Sequence, residues 1–246
     1  MIYELPAISL EEIGAAKLMN RVDTKDLSTS SILGVLLERM ISEYMVLEIE
    51  GERVMPYYTR YYDTADANMF YEHQRGRKAR QKIRLRRYES GDRLTFLEIK
   101  DKDNKGRTRK KRREMMPGDE PAMFAGFVAK NSHYTMETLS PWIENRFNRI
   151  TLVRNNLSER ITIDTGLAFH NLVNGNSEDV GHLMIIEWKR EAYAEASPMS
   201  GILRTLHIRQ SGFSKYCTGM ALTDPGLRQN RMKPKLRMLG TYANMI

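Results

Sequence analysis

Six short stretches of this chain alternate charged with apolar residues at a period of two, and only an extended strand sorts such a pattern onto two faces. In Lys82–Tyr88 (KIRLRRY) the cations Lys82, Arg84 and Arg86 recur at every second position, with Ile83 and Leu85 between them. The charged phase of the other stretches holds Arg21, Asp23 and Lys25, then Glu98, Lys100 and Lys102, then Arg149. It continues with Arg160, Thr162 and Asp164, and ends on Glu187 and Lys189. Val22, Leu97, Ile99, Ile161, Ile163 and Ile186 occupy the opposite phase. One such strand reads as a solvated face. Six of them predict a barrel with a charged lumen and apolar residues buried against outer helices, the reverse of an ordinary β-barrel.

The charge is also concentrated. Between Arg75 and Arg113 there are 18 Lys or Arg residues and five acids, while the remainder of the 246-residue chain is net acidic. The net charge of +8 therefore describes one patch. Rows of cations on neighbouring strands repel unless a polyanion lies between them, so the pattern predicts a polyanion site.

Hydrophobic content of 41% supports a packed core and excludes global disorder. A single cysteine, Cys217, excludes an internal disulfide framework and predicts a reducing, cytoplasmic setting. The start of the chain shows no secretory signal pattern, and no apolar run approaches the ~18 residues of a membrane span. No long linker divides the chain, so residues 1–246 are expected to form one α+β domain: an antiparallel barrel of about eight strands with flanking helices.

Ser9–Glu12 (SLEE) is a capping-box pattern opening a short helix, and Ser28–Ser31 is expected to cap a second. Strands are expected at Arg21–Leu27, Met45–Glu50, Tyr57–Asp63, Gln81–Tyr88, Leu94–Lys102 and Thr108–Glu114. Ser90–Asp92 and Asn104–Gly106 read as hairpin turns, and Asp66–Gln74 as a short helix. A helical insertion over about Pro121–Phe147 should precede strands at Arg149–Asn155, Arg160–Asp164 and Leu183–Lys189. Gly201–Arg209 and Ser214–Leu222 look helical. The tyrosines Tyr57, Tyr58, Tyr61 and Tyr62 read as core, in a strand away from the cation rows.

Taken in order, Asn20–Lys25 (NRVDTK), Tyr62–Thr64 (YDT), Lys82–Tyr88, Phe96–Lys100 (FLEIK), Arg160–Thr165 (RITIDT), Ile186–Lys189 (IEWK) and Phe213–Tyr216 (FSKY) resemble the VTC domain. That domain is the catalytic module of the vacuolar transporter chaperone polyphosphate polymerase, and it belongs to the triphosphate tunnel metalloenzymes. The resemblance implies a β-tunnel that binds ATP, polyphosphate or another triphosphate through Lys and Arg, with Mn2+ or Mg2+ held by glutamate. By position it assigns catalytic roles to Lys25, Arg84, Arg86, Lys100, Arg149, Arg160 and Lys215, and metal binding to Glu187. Arg21, Lys82, Lys102, Lys110 and Lys189 are expected as further substrate-binding cations, and Glu98 as a second metal-binding candidate.

Two departures bear on activity. Gly212 stands where the polymerase pattern tends to carry a second lysine, and Arg21-x-Asp23-x-Lys25 replaces the Glu-x-Glu-x-Lys of the hydrolase branch. Phosphoryl transfer needs chiefly positioning and charge neutralisation, which Arg forks, Lys point charges and one metal supply. The leading expectation is a metal-dependent polyphosphate polymerase. A triphosphatase on the same tunnel and a non-catalytic polyphosphate- or nucleic-acid-binding module are the alternatives, with no nucleic acid expected. A membrane-protein partner that takes the product is left open.

Overall fold

The computed structural model describes residues 1–15, 21–105, 107–191 and 197–243. The elements run β1 (Ala7–Ile8), α1 (Leu10–Ala15), β2 (Arg21–Thr29), α2 (Leu33–Glu38), β3 (Tyr44–Leu47), β4 (Met55–Thr64) and α3 (Asn68–Gln74). Next come β5 (Arg80–Tyr88), β6 (Thr95–Lys102), β7 (Thr108–Met115), α4 (Ala125–Asn131), β8 (Leu139–Arg154) and β9 (Glu159–Asn171). The chain closes with β10 (Ser177–Asp179), β11 (Leu183–Glu191), α5 (Pro198–Thr205), α6 (Lys215–Thr223) and α7 (Lys233–Ala243). Among the described residues no helix is long and apolar enough to cross a membrane.

The strands form one sheet in the order β2-β11-β9-β8-β4-β5-β6-β7, antiparallel at every step, with β10 added to β9 and β3 to β8. Among the described residues β2 and β7 do not pair, so the expected barrel is instead an open trough. A physical reason lies in β7, where Arg109, Lys110, Lys111, Arg112 and Arg113 are all exposed. A strand carrying cations on both faces discourages edge pairing.

Local sequence sets the starts of only some of the helices. The Ser9 capping box forms as expected: Glu12 accepts from the Ser9 amide at 2.8 Å and from its hydroxyl at 2.7 Å. The helix expected over Pro121–Phe147 is confined to α4 and a preceding 3-10 turn at Pro121–Phe124, and β8 takes over at Leu139. From Ile143 to Phe147 the residues alternate across the sheet, and pairing with β4 along ten residues outweighs local helical preference. Gly106, in the second expected turn, lies outside the described residues; beside it Asp103 Oδ1 accepts from the Lys105 and Arg107 amides, both at 2.9 Å. The helix α7 had no counterpart among the expected elements.

Apolar residues pack the helices against the sheet. Ile150, Leu152, Ile161, Ile163, Ile186 and Trp188 meet Leu36, Leu37 and Met40 of α2 and its C-terminal turn, together with Met199 and Leu203 of α5. A second cluster joins Ile83, Leu97 and Ile99 to Phe70 of α3, Val128 of α4 and the buried side of α6. The helix α6 comes so close to β8 and β9 that a Cβ on Gly219 would sit 2.5 Å from Phe169 and 2.6 Å from Ile143.

Candidate functional site

Strand register brings the sequence-predicted cations onto one face. Lys82 lies opposite Lys100, and Lys100 opposite Lys110. Arg84 pairs across to Glu98, and Glu98 to Arg112. On the other wall Glu187 stands between Lys25 and Thr162, Lys189 between Asp23 and Arg160, and Arg149 opposite Asp164. The two walls sense each other: Lys100 of β6, lowered chiefly by Arg84, also feels Glu187 of β11 and Lys25 of β2. Lys102 sits at the end of the row, opposite Arg80 and Thr108. Arg21 begins β2 opposite Glu191, and its side chain lies outside the described residues.

Three carboxylates organise the cations. Asp164 accepts a two-pronged contact from Arg149, at 2.6 and 2.8 Å, and also binds Lys215. Glu98 accepts from Arg84 Nε at 2.8 Å and NH2 at 2.6 Å, binds Lys110, and has Arg86 at 4.0 Å. Glu187 meets Lys25 at 2.9 Å and Lys189 at 3.0 Å. Burial opposes ionisation of all three, but the surrounding cations hold each carboxyl below the ordinary range: Arg149 and Lys215 at Asp164, Arg84, Arg86 and Lys110 at Glu98, Lys189 and Lys25 at Glu187. Arg160 donates to the Ile13 carbonyl at 3.1 Å, tying α1 to the rim.

Positive charge remains in excess. Among the described residues Lys82 and Lys100 form no ion pair with a carboxylate, and Arg86 reaches Glu98 only at 4.0 Å. Lys82 donates to Ser214 Oγ at 2.8 Å, and burial lowers its pKa. Arg86 is buried, and burial followed by Arg84 lowers it too. Lys100 falls well below the ordinary lysine value, first through Arg84, then burial and Arg86. Lys215, held by Asp164 yet buried, is lowered to about 8. The trough is under like-charge strain, which an anion placed among these cations would relieve.

The tyrosines correct one expectation. Tyr57 and Tyr61 point into the cationic face rather than away from it: Arg86 lies 5.6 Å and Arg149 5.0 Å over Tyr57, and Arg84 lies 5.9 Å over Tyr61. Burial raises the Tyr61 phenol, but Arg84, Arg86, Lys215 and Lys82 outweigh it and lower its pKa. Lys215 Nζ is 4.0 Å from the Phe147 centroid. An aromatic floor holds the cationic heads without neutralising them. Tyr58 takes the outer phase, where it bonds Glu144.

The Tyr62–Thr64 and Phe213–Tyr216 motifs meet at a joint. Asp63, fully buried, accepts from the Met69 amide at 2.9 Å and the Phe70 amide at 3.0 Å at the start of α3, and from the Tyr216 hydroxyl. Ser214 caps α6 by accepting from the Cys217 amide at 3.3 Å. Together these contacts present Lys215 to Asp164.

Such a site predicts a ligand series. At equal concentration tripolyphosphate should raise the melting temperature more than pyrophosphate, and pyrophosphate more than phosphate; the gain is about 2.7 kcal/mol once a ligand reaches a hundredfold excess over its own Kd. The sign of the pH dependence follows from Lys215: its folded pKa of about 8 is below the ordinary 10.5, so its charge strains the free protein below pH 8 and the strain fades above it. Raising the pH from 7 to 9 should therefore stabilise the free protein and shrink the tripolyphosphate shift. Scanning calorimetry checks both, and no shift with tripolyphosphate at pH 7 would exclude a polyanion site.

A family model for the VTC domain matches residues 20–223. No curated protein gives a significant match. Among solved structures, HpAC1 from Hippeastrum, described as a putative adenylyl cyclase with a dominant triphosphatase activity, is similar with a TM-score of 0.52 and 13% identity, over 86% of this chain and 99% of that one. The PH1819 protein from Pyrococcus horikoshii OT3 is similar with a TM-score of 0.43 and 12% identity, over 82% of this chain and 98% of that one.

Proposed function

The chain belongs to the VTC domain family, and we propose that it is a polyphosphate polymerase that moves the γ-phosphate of ATP onto the end of a growing polyphosphate chain. A terminal phosphate oxygen of the chain attacks the γ-phosphorus, the bond to the β,γ-bridging oxygen breaks, and ADP leaves. The observation that carries this reading is the row of un-neutralised cations, Lys82, Arg86 and Lys100, beside carboxylates already saturated by Arg84, Lys110, Arg149 and Lys215. Charge spread over the transferring oxygens is what such a row stabilises.

The carboxylates favour transfer over hydrolysis. Glu98, Asp164 and Glu187 are all held below the ordinary range, so none is suited to take a proton from water near neutral pH. An ionised phosphate terminus needs no base.

Mg2+ or Mn2+ fits one position in this proposal. Among the described residues no three His, Cys, Asp or Glu side chains cluster into a protein-only metal cage. Mg2+, however, commonly takes one or two carboxylates and completes its shell with water and substrate phosphates. Glu187 suits that role, because each of its oxygens faces a single lysine and Lys25 is one-third exposed, so the pairs can open. Glu98 is fully buried beneath Arg84 and Lys110, and we read it as the counter-ion that orients the arginines. Held by Glu187, the cation would neutralise charge on the phosphate oxygens.

Hydrolysis of a triphosphate is the second reading, favoured by the triphosphatase activity named for the Hippeastrum protein of the same fold. Incubating the purified chain with ATP and Mn2+, and measuring polymer and free phosphate together, separates the two. Polymer formation with ADP release is the expected result. Free phosphate without polymer would replace the polymerase reading with the second.

A further inference from the structure

Outside the trough, α3 and the segment leading into α7 border an open pocket of about 390 Å3. Tyr71, Gln74 and Arg75 form one wall, and Arg228, Asn230 and Arg231 the other. The second wall lies beyond the residues matched by the family model, 20–223, so the pocket combines shared and additional sequence.

We propose that this pocket is a second anion site, taking an oligophosphate that is free or carried on a nucleoside. Three arginines line it, Arg75, Arg228 and Arg231, and among the described residues none forms an ion pair with a carboxylate. Arg75 lies 6.0 Å over the Tyr71 ring, and Arg231 spends one N–H on the Gln74 carbonyl at 2.9 Å. The Arg228 amide approaches the Tyr71 hydroxyl at 3.4 Å, which fixes the second wall against the first. Gln74, 9% exposed, is the buried member of the lining. An anion in the pocket supplies the counter-charge that the three arginines lack.

The surroundings reinforce this. His73, next to Gln74, is lowered to about 3, first by burial and then by Lys82, Arg80, Lys235 and Lys102, so positive potential extends around α3. The volume suits a small phosphorylated ligand, and the Asn230 amide can bond phosphate oxygens or the edge of a base.

Calorimetric titration of the full chain with tripolyphosphate, and separately with ADP, tests the site. The parent protein should bind one equivalent in the trough and one in the pocket. Arg228→Gln with Arg231→Gln should weaken the pocket equivalent by about tenfold or more and leave the other unchanged. Both arginines are exposed and only the Arg231 bond to the Gln74 carbonyl is lost, so no more than a small drop in melting temperature is expected for that variant. Arg86→Ala should do the converse, sparing the pocket. Pocket uptake of ADP alone would assign a nucleoside-borne phosphate chain, and uptake of tripolyphosphate a free one. If the trough reading alone is wrong, the equivalent sensitive to Arg228 and Arg231 still appears. No equivalent sensitive to them with either probe overturns the proposal.

Discussion

Arg86→Ala is expected to weaken tripolyphosphate binding by about tenfold to a hundredfold while its melting temperature equals or exceeds that of the parent protein. The two effects separate because Arg86 is buried without a close anionic partner. Its contact with the Glu98 carboxylate is 4.0 Å long, and its Nε has no hydrogen-bond acceptor. Burial and Arg84 both lower its pKa, so its charge is a strain on the free protein that only a ligand relieves. Truncation removes the strain along with the phosphate contact. Arg84→Ala should behave differently, although the sequence presents the two arginines as equivalents. Arg84 holds the fully buried Glu98 through contacts at 2.8 and 2.6 Å. Removing one partner of a buried pair leaves the other uncompensated and costs about 3 kcal/mol or more. Its melting temperature should therefore fall. Titration with tripolyphosphate alongside scanning calorimetry measures both quantities. Parent-like binding by Arg86→Ala would remove it from the site.

That contrast marks the limit of what the sequence made legible. Period-two alternation located β5, β6, β9 and β11 and put their charged residues on one face, because a single register shift would have exposed Ile83, Ile99, Ile163 and Ile186. It could not say which cations are neutralised. Arg84 and Arg86 differ only in the carboxylate that β6 brings alongside, and cross-strand pairing is tertiary information. The same applies to Lys110, whose register within the run Arg109–Arg113 is settled by its position opposite Lys100. Asp164 was visible in the charged phase, but its grip on both Arg149 and Lys215 depends on α6 reaching across to β9. The first half of β8 escapes the pattern because its charges, Glu144 and Arg146, take the outer phase, while the trough-facing Ile143, Asn145 and Phe147 carry none. Tyr57 and Tyr61 were read as core for a sound reason, since both are buried, but the core they join is the aromatic floor beneath the arginines.

Glu187→Gln should abolish metal-dependent turnover while tripolyphosphate binding without metal persists or tightens. Glutamine is nearly isosteric and keeps one carbonyl oxygen, but it lacks the negative charge that a hard cation requires. In the free protein Glu187 spans Lys25 at 2.9 Å and Lys189 at 3.0 Å, and those lysines help hold its carboxyl well below the ordinary range despite burial. The pair therefore contributes to stability above the ordinary carboxylate pKa and loses that contribution only as pH falls through the depressed one. The Glu187→Gln variant would forfeit it at neutral pH, so a modest drop in melting temperature is expected on either account of the residue. Turnover discriminates between them. If Glu187 serves only to hold Lys25 and Lys189, the variant keeps its response to Mn2+ and loses mainly stability. If it carries the metal, the response to Mn2+ disappears, while both lysines, freed from their counter-ion, bind phosphate oxygens at least as well as before. Measuring ATP turnover against Mn2+ concentration, together with tripolyphosphate affinity in a chelator, gives both readings from one variant. Unchanged metal dependence would exclude Glu187 as the metal-binding side chain.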